Sequence, residues 1–344
     1  MTTNPTAAAL PFSALPAGVR VPAETERHEL TLIAWPTEAR RAVLWGDQLA
    51  AARDLHAHIA RTIAVFEPVL LIADPGDAAG AARQVGGEVE VLAAPIDDSW
   101  IRDSGPVIAK APDGTRHALC FRFTGWGGSF TPFDRDAAIA ARIAAHLGIP
   151  AYDVPLAAEG GALAVDGDGT VVTTQRCLLN PNRNPGRSRD EIDEVLRRSL
   201  GGEQIVWLAD GIAEDEGTDG HVDNVVAFVG PGRCLLQNCA EPDNPNFEIA
   251  FDNLEVLSES GIAVTQVPAL PYAVVGGLRV PVPYVNLYPV NGAVIVPTTG
   301  HAADDGVLEL IAHAYPDRRV VAVPGSVLAY GGGGVHCITQ QIPA

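Results

Sequence analysis

In "NVVAFVGPGRCLLQN" (residues 224–238) two apolar runs flank a Pro-Gly tip. Short runs of branched and aromatic residues on either side of such a tip form an antiparallel hairpin. The same pattern recurs in "GPVIAKAPDGTRHALCF" (105–121), "GALAVDGDGTVVTT" (161–174) and "NLYPVNGAVIVPTTG" (286–300). The tip glycines Gly114, Gly169, Gly232 and Gly292 follow one another at roughly 60-residue intervals, the length of one supersecondary unit in a repeat protein. Helical patterns with apolar residues three and four apart fill the gaps, in "WGDQLAAARDLHAHIARTIAVF" (45–66), "RDAAIAARIAAHLG" (135–148), "SRDEIDEVLRRSLG" (188–201) and "DDGVLELIAHAYPD" (304–317). Short strands such as "EPVLLIA", "QIVWLA" and "RVVAV" come after helices. The unit is therefore a hairpin, a helix and a further strand, and the chain has room for about five of them. A closed ring of five leaves no long sheet edge exposed.

Composition narrows the function classes. The chain has 344 residues, 47% of them hydrophobic, enough for a large core. No apolar run approaches the roughly 20 residues of a membrane span, and the first residues lack the pattern of a secretory signal. Residues 1–20 are expected to form a flexible arm, and residues 21–344 a single catalytic domain. The five cysteines (Cys120, Cys177, Cys234, Cys239 and Cys337) are odd in number and lack a CxxC pair, which fits a reducing cytoplasm and no thiolate zinc site. Cys120, Cys177 and Cys234 fall on expected strands. The net charge of −19 argues against nucleic acid and suits a cationic small molecule.

The polar residues ahead of each hairpin share a phase. Trp100, Arg102 and Asp103 precede the first, Glu159 the second, His221 and Asp223 the third, and Tyr284 with Asn286 the fourth. His336 and Cys337 stand in the last segment, "GGGGVHCITQQIPA". Equivalent positions in a ring converge on its axis, which would gather Asp103, Glu159, His221, Asp223 and Cys337. His221 and Asp223, two apart, are expected on one face of an extended segment. Taken singly, each has a plain reading: a solvated strand end for the His221 pair, a turn residue for Asp103, a turn cap for Glu159, a small buried hydrophobe for Cys337. Those readings leave the shared phase unexplained. Together the residues offer a nucleophile, a base, an orienting carboxylate and two spare anions, so the site wants a cation.

These segments resemble the agmatine deiminase family, within the guanidino-group-modifying pentein superfamily. The resemblance runs from "VPAETERHELTLIAWP" (21–36) through "DDSWIRDSGP", "EGG" and "GTDGHVDN" to "YVNLYPVNGAVIVP" and "GGGGVHCITQQIP". It implies a five-bladed α/β propeller and deimination of agmatine to N-carbamoylputrescine and ammonia, without a cofactor or metal. Cys337 would be the nucleophile and His221 the general acid/base. Asp103 and Asp223 would bind the guanidinium, Glu159 would partner His221, and Trp100 would wall the channel. A homodimer is expected. Two positions depart from the family pattern: Gly217 stands where an acid four before the histidine is usual, and Thr25 where tryptophan is. With Gly217 in place, Glu214, Asp215, Glu216 and Asp219 are the acids near the substrate's amine end, with Glu214 and Asp219 the candidate ligands. Arg102, between Trp100 and Asp103, should point away from their face. The alternatives are another guanidino substrate (arginine, a methylated arginine or peptidyl-arginine), a non-catalytic ribosome-binding pentein, or a Cys-His protease.

Overall fold

The computed structural model describes residues 9–344. Each expected hairpin forms, and each is extended by a parallel strand that returns after a helix or an irregular link. Val107–Lys110 pairs antiparallel with Arg116–Cys120, which pairs in parallel with Ala151–Asp153. Ala164–Val165, Thr170–Thr174 and Gln204–Leu208 repeat that order, as do Val226–Gly230, Arg233–Gln237 and Ala263–Val267. Tyr288–Val290, Ala293–Thr298 and Arg319–Pro324 repeat it again. A fifth sheet is built from both ends of the chain. Thr339–Pro343 lies antiparallel to His28–Ala34, which is followed by the parallel strands Val69–Ala73 and Glu90–Ala93. A parallel partner needs a long crossover, and the helices supply it while covering the sheets.

Local chemistry explains the helices. Leu49–Ala64 buries Leu49, Ala52, Leu55, Ile59, Ala60 and Ile63 along one stripe. Arg189–Leu200 begins at a capping box, in which the Ser188 hydroxyl accepts from the Glu191 amide and the Glu191 carboxylate accepts from the Ser188 amide. The expected helix at 135–148 is split into Asp134–Ala137 and Ile139–His146.

Several expectations are corrected. Residues 1–8 lie outside the described residues, but from Leu10 onward the supposed flexible arm is docked. Leu10 and Pro11 pair with Tyr152 and Asp153, Arg20 bridges to Lys110, and Leu15 and Val19 are buried. Its apolar residues are spaced for burial, which the many prolines and alanines around them obscured. Cys177 lies on the short helix Gln175–Leu178, not on a strand, because the Thr174 hydroxyl caps a turn there. Among the described residues, a hairpin of Tyr272–Val275 and Leu278–Pro281 pairs with no other strand and has no counterpart in the other repeats. The helix Asn246–Glu259 was also not anticipated. No helix among the described residues is long and apolar enough to cross a membrane.

Candidate active site

The four segments ahead of the hairpins and the last segment, which carries Cys337, are tight turns, and they meet. Ile101–Ser104 is one helical turn, while Gly160–Ala162 and Val222–Asn224 are 3-10 turns. The Arg102 amide donates to the Cys337 carbonyl at 3.2 Å. The Gly161 amide donates to Asp103 Oδ1 at 3.0 Å, and Asn286 Nδ2 to the Asp223 carbonyl at 3.3 Å. The His336 amide closes the sequence by donating to the Asn286 side-chain oxygen at 3.0 Å. His221 and Asp223 therefore do not share the face of a strand. His221 stands at the start of a 3-10 turn and Asp223 within it, and the turn delivers both inward before the strand begins at Val226.

Gly161 shows how closely these groups approach. A Cβ at that position would stand 2.6 Å from His221 Nδ1, 2.8 Å from Asp103 Oδ1 and 3.0 Å from Asp223 Oδ2. Only glycine leaves room for the three side chains. Gly333 plays the same part beside the thiol, where a Cβ would lie 2.5 Å from the Trp100 ring and 3.1 Å from Cys337 Sγ. The structure thus brings together Asp103, Glu159, His221, Asp223 and Cys337, all of them buried.

Each group has defined partners. Glu159 Oε1 accepts from Arg183 Nε at 2.8 Å, and its Oε2 lies 3.4 Å from His221 Nε2. His221 Nδ1 stands 3.8 Å from Asp103 Oδ1. Burial alone would push the His221 pKa down, but Asp103 and Glu159 outweigh it and hold the imidazole well above its ordinary value. Burial raises Asp103 to about 6, against the pull of His221. Cys337 Sγ sits 3.5 Å from Asp223 Oδ2 and accepts from Asn286 Nδ2 at 3.3 Å. Burial, with Asp223 and Asp103 nearby, pushes this thiol well above its usual range. The resting site therefore holds a neutral thiol and an imidazolium. Glu159, Cys177 and His221 also bring three potential ligand atoms within 4.8 Å of one another. In that group Glu159 is already engaged by Arg183 Nε at 2.8 Å, and its other oxygen faces His221 Nε2.

A pocket of about 440 Å³, part of it open to solvent, lies over the thiol between Trp100, Trp126, Phe130, Thr218 and His221. Trp100 is stacked on Trp45 with ring centroids 5.7 Å apart. A second cavity of about 740 Å³ adjoins it across Gly217, Asn224 and Gly332, and reaches Glu214, Asp215 and Arg279. The acids expected near an amine end divide here. Asp219 does not face either space, because its carboxylate is taken by Arg183 Nη1 at 3.0 Å and Asn182 Nδ2 at 2.9 Å. Glu214 does line the outer cavity, where it accepts from Tyr272 and Asn246. Arg102 points away from the pocket, as its position between Trp100 and Asp103 required, and donates to Glu24 and Gln341.

Sequence reasoning missed several residues here. The Trp126 indole donates to Asp103 Oδ2 at 2.9 Å from a left-handed backbone, φ 54°. Such a conformation is strained for any residue with a side chain, and it aims the ring at the carboxylate. A tryptophan framed by glycines in "GWGG" was the available signal. Asp98 lines the pocket 3.1 Å from Arg40, with its pKa raised by burial to about 6. Arg183 lies in the polar run "NPNRNPG", which reads as a plain loop.

Residues 20–343 match the Porphyromonas-type peptidyl-arginine deiminase family. The chain belongs to that family. It is 34% identical over 334 residues to a Legionella pneumophila protein named "Putative agmatine deiminase", spanning 95% of both chains. A solved structure of the agmatine deiminase of Enterococcus faecalis superimposes with a TM-score of 0.90 at 29% identity, covering 98% of each chain. The DDAH of Pseudomonas aeruginosa, at 13% identity and a TM-score of 0.52, covers 92% of this chain and all of its own, and shares the fold alone. The fold is thus the mixed α/β fold of the pentein superfamily.

Proposed function

We propose that the chain hydrolyses agmatine to N-carbamoylputrescine and ammonia through a covalent intermediate on Cys337. The observation that carries this is a pair of buried carboxylates at the thiol: Asp223, with Oδ2 3.5 Å from Cys337 Sγ and Oδ1 without a hydrogen-bond partner among the described residues, and Asp103, which shares the pocket with Cys337. Two carboxylates flanking a nucleophile match the paired N–H groups of a planar guanidinium. Residues from Glu24 to Cys337 meet at the site, which supports one catalytic unit. The five larger sheets, each an antiparallel pair extended by parallel strands, are read as the blades of a five-bladed propeller. Cysteines without disulfides among the described residues support a reducing cytoplasm.

The steps follow from the proton inventory. A cation arriving between Asp103 and Asp223 stabilises the thiolate, and the thiol proton passes to solvent through the pocket. The sulfur attacks the guanidinium carbon, forming a C–S bond and a tetrahedral adduct. His221, already an imidazolium, gives its proton to the departing nitrogen, the C–N bond breaks and ammonia leaves. Neutral His221 then takes a proton from water as the oxygen attacks the amidino-thioether carbon. The C–S bond breaks as the carbonyl forms, the hydroxyl proton passes to the released sulfur and restores the neutral thiol, and the ureido product departs. Glu159, fixed by Arg183, keeps the ring aligned throughout. Trp100 walls the alkyl chain.

Agmatine is preferred among guanidines because the inner pocket is lined by Asp98 and Asp103, with Asp223 against the thiol, and among the described residues no arginine lines it to take an α-carboxylate. The relatives named above as agmatine deiminases support the same choice. Parallel assays of ammonia release should favour agmatine over arginine by about two orders of magnitude in kcat/KM, about 2.7 kcal/mol. Comparable efficiencies would overturn the substrate assignment and leave the deimination chemistry standing.

A further inference from the structure

His336, immediately before the nucleophile, has no part in the steps above. Its ring lies between two carboxylates: Nδ1 is 2.9 Å from Asp223 Oδ2, and Nε2 is 2.9 and 3.0 Å from the two oxygens of Glu24. Carboxylates only accept, so both ring nitrogens must donate, and only the imidazolium can do that. Glu24 is fixed in turn by Arg102 Nη1 at 2.8 Å. Arg102 is itself held by the His336 carbonyl, by Gln341 and by the face of Tyr288. The unit reaches from the N-terminal segment, through the Ile101–Ser104 turn, to the nucleophile's own turn. It ends on the carboxylate whose other oxygen is unpartnered.

Resting on the guanidinium reading of the pocket, we infer that Glu24 and His336 are a positioning pair for Asp223. The shared imidazolium pins Asp223 Oδ2 and thereby fixes the carboxylate beside the Cys337 thiol, ready for the substrate cation. Packing alone would not need a charged ring between two acids, since an amide or an apolar residue fills such space at less desolvation cost. The charged and titratable groups facing His336 are Asp223, Glu24 and Arg102. Cys337 adjoins it in the chain, and Tyr315 lines the cavity that Glu24, Asp223 and His336 share. Burial and Arg102 push His336 down, but Glu24 and Asp223 outweigh them and raise it above the usual range. Glu24 is held down at about 2, with burial overcome by Arg102 and His336. As pH rises through the His336 pKa the ring loses a proton and can donate to only one carboxylate. Guanidinium affinity is then lost on the alkaline side. Removing the Glu24 charge lowers that pKa and shifts the loss to lower pH.

The test compares two alkylating probes at Cys337, read by intact mass. Chloroacetamidine carries an amidinium that needs the clamp, and iodoacetamide is neutral. Wild type should favour the amidine. His336→Gln should reduce the ratio of the two rates about tenfold. Glu24→Gln should reduce it severalfold and move the alkaline limb of the amidine reaction to lower pH. A ratio within about twofold of wild type in both variants, or an unmoved limb in Glu24→Gln, overturns the inference. If His336→Gln does not fold by circular dichroism, Glu24→Gln decides alone. Wild type that prefers the amidine but releases no ammonia from agmatine would sink the substrate assignment and not this inference. Wild type without the amidine preference would overturn the clamp and this inference with it.

Discussion

The inner pocket and the outer cavity meet at Gly217 and are built by opposite means. Inside, Asp103, Glu159, His221 and Asp223 are buried, and each is tied to a partner from another repeat unit. Outside, Glu214 and Arg279 are exposed, and one wall is the Tyr272–Pro281 hairpin that no other sheet pairs with. The inner groups are prearranged before substrate arrives, which is where electrostatic catalysis gains most. The outer groups face water, where charges are screened and contribute little. The proposed chemistry thus lies where the repeat is most regular, and the outer cavity lies where an insertion interrupts it.

The largest test of that contrast is Cys337→Ser. It should lower kcat by on the order of 10⁴ or more while the melting temperature stays near wild type, because an alcohol lacks the thiolate's reactivity. Turnover surviving the change, or a substrate adduct trapped on another cysteine, would move the chemistry elsewhere. Next come the two residues around the 3-10 turn. His221→Ala should lower kcat by about 10²–10⁴ through lost proton transfer, whereas Asp223→Asn should also raise KM because half the clamp is gone. Equal and mild losses in steady-state assays would return both to structural roles.

A smaller effect separates function from stability at Asp103. Its folded pKa of about 6 lies above the ordinary 3.8, so the folded state holds a proton that the unfolded state has released between those values. Stability therefore falls as pH rises from about 4 to about 6, and the cost is complete above it. Asp103→Asn should abolish turnover yet stabilise the fold at pH 7 by roughly 3 kcal/mol, read from denaturant midpoints. In the unaltered chain, kcat/KM should fall about tenfold per pH unit below about 6 as this carboxylate protonates. The smallest effect belongs to the outer cavity. Arg279→Ala should lower the KM for agmatine about two- to threefold at low ionic strength, and the gain should vanish at roughly 0.5 M salt. A change above tenfold would make the rim part of the clamp.

The repeat was legible because hairpin tips and hydrophobic periodicity are local, and the four tips ending at Gly114, Gly169, Gly232 and Gly292 all formed as read. Shared phase in that repeat was enough to group Asp103, Glu159, His221, Asp223 and Cys337. The geometry of the turns was not legible, since an i to i+2 spacing looks the same in a strand and in a 3-10 turn, and His221 with Asp223 fell on the latter. Partners distant in sequence were also hidden. Nothing local ties Trp126 to Asp103, Arg183 to Glu159 or Glu24 to His336. The acids at 214–219 looked interchangeable as charges, and only tertiary contacts assign Asp219 to Arg183.

Trp100, the pocket wall, lies nearly parallel to Trp45, with an angle of 23° between their planes. Two indoles at that separation share their electronic excitation, so the pocket carries its own optical label. Substrate moving against Trp100 should alter the near-ultraviolet circular dichroism of the pair, and occupancy of the site could be followed in stopped-flow without a dye, a coupled enzyme or any chemical turnover.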